Sequence, residues 1–296
     1  MTFEEIMETL RKVKANGKLV IFVGSGISKN SGMPTWGQLV REYAVRLNYA
    51  HMVLTTDDYI RVPQYFYCID DSPNHEEYYR ILRQCFDVPA KPNIINQLIS
   101  DLRPTHIITT NYDKLQEETR HNYEIITSDK DLLRGVGGKH YIVKMHGDID
   151  DLEHIVVKED DYLQYNHTHR LLEVFLQSLL IDHTFLFVGY SLNDYNLKTF
   201  ISWIDYLGET MEVRQDMHKN FLVTDSITEE EDYLNAYYNQ KGIEVINLNR
   251  LPKELDEEAR KVPLKDPIGQ KTYVVLKELK TRIRGNDAAT LEKKNA

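Results

Sequence analysis

Three polar residues stand just past apolar runs that have the character of buried strands. Asn111 follows His106-Ile107-Ile108-Thr109-Thr110, His146 follows Tyr141-Ile142-Val143-Lys144-Met145, and Ser191 follows Phe185-Leu186-Phe187-Val188-Gly189. Open α/β sheets bind ligands along the carboxyl ends of their strands, so the three converge on one edge. A histidine there can accept a proton near neutral pH. An asparagine can hold hydroxyl groups or a water through its paired donor and acceptor. A fourth feature joins them: Leu19-Val20-Ile21-Phe22-Val23 breaks into Gly24-Ser25-Gly26. A strand that turns through Gly-x-Gly into a helix brings backbone N–H groups and a helix N-terminus toward a pyrophosphate. The third glycine of the dinucleotide fingerprint would fall at 29, where the chain has Lys29. Taken alone, Gly24 and Gly26 therefore fit a purely structural turn equally well. Asn111 and Asp113 also suit a turn or a helix cap, His146 a structural hydrogen bond, and Ser191 the cap of a following helix.

These residues need a scaffold of strands, and the sequence predicts one. Phe3, Ile6, Leu10 and Val13 share one face of a helix over 2–16. Strands are predicted at 19–23, 105–110, 140–145, 184–189, 219–223 and 243–247, with helices between them. That alternation gives an α/β fold, a doubly wound, Rossmann-like parallel sheet covered on both faces. The segment 168–180 carries Leu171, Leu172, Phe175, Leu176 and Leu179, and is expected to pack as an apolar helix beneath the sheet. Residues 38–100 interrupt the pattern. They read as a helical insertion over the ligand cleft, with Tyr59, Tyr65, Phe66, Tyr67, Tyr78 and Tyr79 mostly as its core. Residues 148–166 form a second, shorter insertion. The catalytic domain is expected over 1–249. Beyond it, 250–267 with Pro252, Pro263 and Pro267 reads as a connector, 270–284 as a helix and 285–296 as a flexible tail.

Composition narrows the function classes. The chain of 296 residues suffices for one large α/β domain. Its net charge of −10 and lack of a basic stripe argue against direct binding of nucleic acid. No run approaches the ~20 apolar residues of a membrane span. Met1-Thr2-Phe3-Glu4-Glu5 has no basic-then-apolar leader, and only Cys68 and Cys85 are present, so a reduced, cytoplasmic setting is expected.

The longer string Gly24-Ser25-Gly26-Ile27-Ser28-Lys29-Asn30-Ser31-Gly32-Met33-Pro34-Thr35-Trp36 resembles the sirtuin pattern G-A-G-I-S-x-x-S-G-I-P-D-F, with Ser25, Met33, Thr35 and Trp36 as substitutions. Thr109-Thr110-Asn111-Tyr112-Asp113 resembles the sirtuin T-Q-N-I-D, Lys144-Met145-His146-Gly147 its H-G, and Gly189-Tyr190-Ser191-Leu192 its G-T-S-L, all in the same chain order. The resemblance implies cleavage of the nicotinamide–ribose bond of NAD⁺. It implies Asn111 on the ribose hydroxyls or attacking water, His146 as general base, and Asp113 as support for that network. It places Gly24, Ser25, Gly26, Ser28, Pro34, Thr35, Thr110, Gly189 and Ser191 around the dinucleotide. Asp225, just past Phe221-Leu222-Val223, is the acidic residue expected at the adenosine ribose, or simply a surface Asp at a strand end.

The departures from the pattern carry as much information. Sirtuin deacylases hold a structural zinc with two C-x-x-C pairs, and two cysteines seventeen apart cannot supply four ligands, so no metal is expected. Gly37 replaces the Arg that follows P-D-F. With the acyl-lysine side in question and the NAD⁺-cleaving residues retained, the chain is similar to the sirtuin-like NADases of bacterial antiphage defence. Those are implied to deplete NAD⁺ on infection, and to be held silent by oligomerisation or by a partner such as a helicase-type ATPase or phage-sensing subunit. The alternatives are an NAD-dependent deacylase or ADP-ribosyltransferase, and a silent module that binds NAD or ADP-ribose.

Overall fold

The computed structural model describes residues 1–49, 53–119, 122–134, 140–191, 195–210, 218–228 and 230–294. Seven strands among them form one sheet: β1 (Leu19–Val23), β2 (His106–Thr109), β3 (Glu124–Ile126), β4 (Tyr141–Lys144), β5 (Thr184–Val188), β6 (Asn220–Thr224) and β7 (Ile243–Asn247). Their order is β3-β4-β2-β1-β5-β6-β7, and every pairing is parallel. The chain winds outward from β1 on one side and then crosses to β5 on the other. The order therefore reverses at β1/β5, the place where doubly wound sheets open a ligand crevice. β3 has no counterpart among the predicted strands. It is a three-residue edge strand whose Glu124 is exposed, too short to show a periodicity.

Alternation sorts each strand onto two cores. Leu19, Ile21 and Val23 join Leu186 and Val188 on one face, covered by the helices Phe3–Ala15, Ile94–Leu102 and Pro267–Lys294. Val20 and Phe22 join Phe185 and Phe187 on the other, covered by Arg170–Asp182 and Tyr195–Thr210. All five residues of β1 are buried, as a strand covered on both faces requires.

The apolar helix Arg170–Asp182 packs on the sheet as expected, burying Leu172, Leu176, Leu179 and Leu180, while Leu171, Val174 and Ile181 on its outer face are exposed. Two other expectations differ. The helix Ile94–Leu102 packs through Ile95, Leu98, Ile99 and Leu102 on the sheet core, so the insertion's own core ends before it. The connector after residue 250 contains the helix Lys253–Ala259. The last helix runs from Pro267 to Lys294, through residues 285–294, where the composition predicts a flexible tail. Val275, Leu276 and Leu279 enter the main core, so this segment is docked on the sheet domain rather than hung from it.

The insertion has a separate core. Leu39, Val40 and Tyr43 from the helix Trp36–Arg46 pack with Val62 and Phe66 from Asp58–Ile69 and with Tyr78, Ile81 and Leu82 from Glu76–Phe86. Tyr112 from the loop after β2, and Leu152, Ile155 and Val157 from the second insertion, complete that cluster.

Candidate functional site

Register brings the site together. Val23 lies level with Thr109 and Val188, and Thr109 with Lys144. One or two residues further on, Gly24, Asn111, His146 and Gly189 stand in a row along the carboxyl edge. A cavity of about 620 Å³ opens above them, within the range of small-molecule sites. Ser25, Ser28, Thr110, Asn111, Asp113, His146 and Ser191 line its floor; Pro34, Thr35 and Trp36, just before the insertion, and Arg41, Tyr59 and Phe86 within it line its walls.

The glycine turn forms the floor by close approach. A Cβ on Gly24 would lie 2.5 Å from the Gly189 carbonyl oxygen, and one on Gly26 would lie 2.9 Å from it. Gly189 itself takes φ +77°, and a Cβ there would meet Ile27 at 2.8 Å. Gly24 N–H donates to the Val188 carbonyl (2.8 Å) and Gly26 N–H to that of Gly189 (3.1 Å). These two amides join β1 to β5 instead of pointing at a ligand. Of the expected phosphate-binding trio, Ser25 is the member that faces the cavity.

Asn111 belongs to a three-membered chain. Its amide Nδ2 donates to Ser28 Oγ at 2.9 Å, and the Ser28 hydroxyl donates to Asp113 Oδ2 at 2.7 Å. An ionised carboxylate only accepts, so the serine must donate to Asp113 and accept from the amide. That direction leaves Asn111 Oδ1 as an acceptor. The Asp113 carboxyl is pushed above its usual range by burial, against hydrogen bonds from Ser28 and the Leu115 N–H and the charge of Lys144. Lys144 is fully buried at the end of β4. Its ammonium donates to the carbonyls of Tyr112 (3.0 Å) and Asp113 (2.9 Å), to Glu117 (2.7 Å) and to Asp148. It thereby ties the loop after β2 to the loop after β4.

His146 is 3% exposed, and burial, with the adjacent His169, drives its pKa down to about 3, against a hydrogen bond with the Asn196 side chain. The ring is therefore neutral at physiological pH. Tyr162 and Tyr165 meet it edge-on at centroid distances of 5.4 and 6.2 Å. The next residue, Gly147, has φ +83°, and a Cβ there would press on the His154 carbonyl at 3.1 Å.

The remaining predicted residues divide. Thr110 Oγ1 shares a hydrogen bond with Tyr190 at 3.0 Å at the cavity edge. Thr35 caps the helix Trp36–Arg46, its N–H donating to Gln38 Oε1 at 2.7 Å. Ser191 is exposed at the rim, and Leu192 lies outside the described residues. Asp225 is half-buried beyond β6, away from the cavity lining, with its carbonyl held by Asn249 Nδ2 at 2.7 Å. Asn196 and Arg41 line the cavity without having been singled out from the sequence. Arg41 stands one helical turn past Gly37, on the same face of Trp36–Arg46, and that spacing is the signal that points to it. Among the described residues no cluster of His, Cys, Asp or Glu is arranged for a metal ion, and no helix is long and apolar enough to cross a membrane.

Comparison with known proteins agrees with this architecture. Residues 105–246 match the family described as SIR2-like domain. Defense-associated sirtuin 2 of Bacillus subtilis is 32% identical over 257 residues, 82% of this chain and 24% of that protein. The NAD(+) hydrolase ThsA of Cytobacillus dafuensis is 29% identical over 210 residues, 69% of this chain and 41% of that protein. The chain thus spans less than half the length of either relative. A solved structure of a Sir2 enzyme superposes with a TM-score of 0.52 at 15% identity, over 96% of this chain and 98% of that one, a likeness of fold alone. With four motifs in order on a sheet that reverses at the glycine turn, the chain carries a SIR2-like domain.

Proposed function

We propose that this chain cleaves NAD⁺ to nicotinamide and ADP-ribose, as the catalytic part of an antiphage NADase. The observation that carries this reading is the meeting of Asn111 and His146 in one cavity at the carboxyl edge of β2 and β4. Relatives named NAD(+) hydrolase and defense-associated sirtuin support it. Nicotinamide departs as a neutral base from a cationic glycoside, so the chemistry asks for positioning, exclusion of stray water and one proton acceptor. Asn111 Oδ1 holds a ribose hydroxyl or the attacking water. Neutral His146 takes the proton. Asp113 and Ser28 fix the Asn111 amide. Ser25 and Ser191 contact phosphate, and Trp36, Tyr59 and Phe86 shield the cavity from solvent.

NAD⁺ is the substrate in this reading, with no resident metal. The protein is cytoplasmic and is held silent by self-assembly or by a partner protein, acting by NAD⁺ depletion on infection. Incubation with NAD⁺, with and without an acetylated peptide, tests it by following nicotinamide, ADP-ribose and O-acyl-ADP-ribose. The expected result, with the trigger or partner present, is ADP-ribose independent of peptide. O-acyl-ADP-ribose would establish a deacylase instead.

A further inference from the structure

We propose that Asn93 is a positioning residue of the site: its side chain clamps the peptide group that leads into Ser28, and so holds that serine against Asn111 and Asp113. This rests on the reading of Asn111 as the residue that holds a ribose hydroxyl or the attacking water. Asn93 is the N-cap of the helix Ile94–Leu102. Its Oδ1 accepts from the N–H groups of Ile95 (2.8 Å) and Asn96 (3.3 Å). Its Nδ2 donates to the Ile27 carbonyl and to Ser31 Oγ, each at 2.9 Å. Main-chain N–H groups only donate and a carbonyl only accepts, so the partners allow the amide this one orientation, with both donors and both acceptor positions filled.

A helix cap needs only the side-chain oxygen, and serine or aspartate would supply it as well as asparagine does. The nitrogen half of Asn93 does something else. It reaches residues 66 and 62 positions earlier in the chain, in the segment that follows the glycine turn. The Ile27 carbonyl and the Ser28 N–H belong to one planar peptide unit, so holding that oxygen sets the direction in which Ser28 leaves it. Ser28 is 3% exposed and commits its hydroxyl to the site, accepting from Asn111 Nδ2 at 2.9 Å and donating to Asp113 Oδ2 at 2.7 Å. The clamp has a firm base. Ile95, Leu98, Ile99 and Leu102 bind its helix to the sheet core, and the chain runs from that helix straight into β2, the strand that delivers Asn111. Other ties on the segment act differently. Asn30 Nδ2 bonds the Gly26 carbonyl at 3.0 Å and the Met33 N–H bonds that of Ser28 at 3.2 Å, both local to the turn. The Gly26 N–H ties it to Gly189, on the β5 side. The Lys29–Asp266 pair, at 3.2 Å with the lysine half-exposed, holds little. Asn93 therefore sets Ser28 relative to the β2 loop, where its two partners stand.

The test separates the clamp from the cap. Asn93→Ser keeps an oxygen for the helix N-terminus and removes both amide donors. Its kcat should fall by ~10–100-fold, the scale of loss when a site group is slightly misplaced, with KM within a few-fold and circular dichroism unchanged. In a Ser28→Ala background, where the hydroxyl is already gone, the same substitution should cost less than ~2-fold, because two changes on one route do not add. Asn93→Asp, which also caps but turns an oxygen toward the Ile27 carbonyl, should repeat both results. The Asn111 side-chain NH2 signals in amide NMR spectra, identified by their loss in Asn111→Ala, should shift in Asn93→Ser. Wild-type kcat in Asn93→Ser, or an equal loss with and without the Ser28 hydroxyl, overturns the proposal. Unmoved Asn111 signals also overturn it. If no form cleaves NAD⁺ under any condition, the functional reading fails, while those signals still decide whether the clamp acts on Asn111.

Discussion

Lys144→Met is the most informative single perturbation of this fold. The Lys144 side chain is completely buried, and its partners Glu117 and Asp148 retain only 19% and 13% side-chain exposure. An ammonium has three hydrogens, and here it serves four acceptors, two of them main-chain carbonyls of the loop that carries Asn111 and Asp113. Methionine fills the same volume but withdraws a donor from two carboxylates and two carbonyls, of which Asp148 keeps the Asp150 N–H and Tyr112 the Ile149 N–H. Breaking a buried ion pair from one side costs about 3–5 kcal/mol. The carboxylates can still reach some water, so the lower end, about 3 kcal/mol, is expected. That is a large part of the 5–15 kcal/mol that holds a typical domain together. Urea unfolding at pH 7.5 would measure it. The triple variant Lys144→Met/Glu117→Gln/Asp148→Asn should regain most of the loss, because neutral partners no longer sit as uncompensated charges. A loss below 1 kcal/mol for Lys144→Met, with unchanged m-value, would refute the reasoning.

Asn111→Ala and His146→Ala should each lower NAD⁺ cleavage by ~10²–10⁴-fold with the fold intact by circular dichroism; near-native turnover in either would remove that residue from the chemistry. Gly24→Ala should cost ~1–3 kcal/mol, because the new methyl meets main-chain atoms of Gly189 that cannot rotate away. An unchanged melting temperature would show that the β1 and β5 turns are looser than described. Acid should destabilise the fold through buried neutral histidines. His106, with a pKa lowered by burial to about 4, and His146, at about 3, stay neutral in the folded chain, while both would titrate near 6.5 when unfolded. Above pH 6.5 neither form binds a proton and there is no effect. Below it the unfolded chain binds protons that the folded chain refuses, so at pH 5 each costs about 2 kcal/mol, at 1.36 kcal/mol per pH unit. Unfolding from pH 8 to pH 5 should show the decline, and His106→Gln should flatten it; parallel curves would exclude His106 as a source.

Much of the scaffold was legible because buried parallel strands announce themselves as apolar runs, as Leu19–Val23 and Thr184–Val188 do. The convergence of Asn111 and His146 was legible for the same reason, since level strands deliver the residues after them to one edge. β3 was not, because three residues at a sheet edge carry no period. The packing of Arg170–Asp182 on the sheet was legible, but its exposed outer face was not, because apolar composition gives no hint of which side chains a sheet has room for. Asn196 was invisible because its place in the cavity lining depends on the fold bringing the helix after β5 to the carboxyl edge of the sheet. The glycine turn was recognised, but the commitment of its amides to Val188 and Gly189 exists only once β5 is beside β1.

That last contact also bears on biosynthesis. The floor of the cavity is closed by hydrogen bonds from Gly24 and Gly26 to residues 188 and 189. Main-chain groups so far apart in sequence cannot meet until the later of the two has been made. At ~5–20 residues per second, β5 is made roughly 8–33 s after β1. During that interval the segments bearing Asn111 and His146 are made without the wall that completes their pocket. A chain that ends before β5 therefore lacks the acceptors that close the cavity floor, together with Ser191 and Asn196 of its lining.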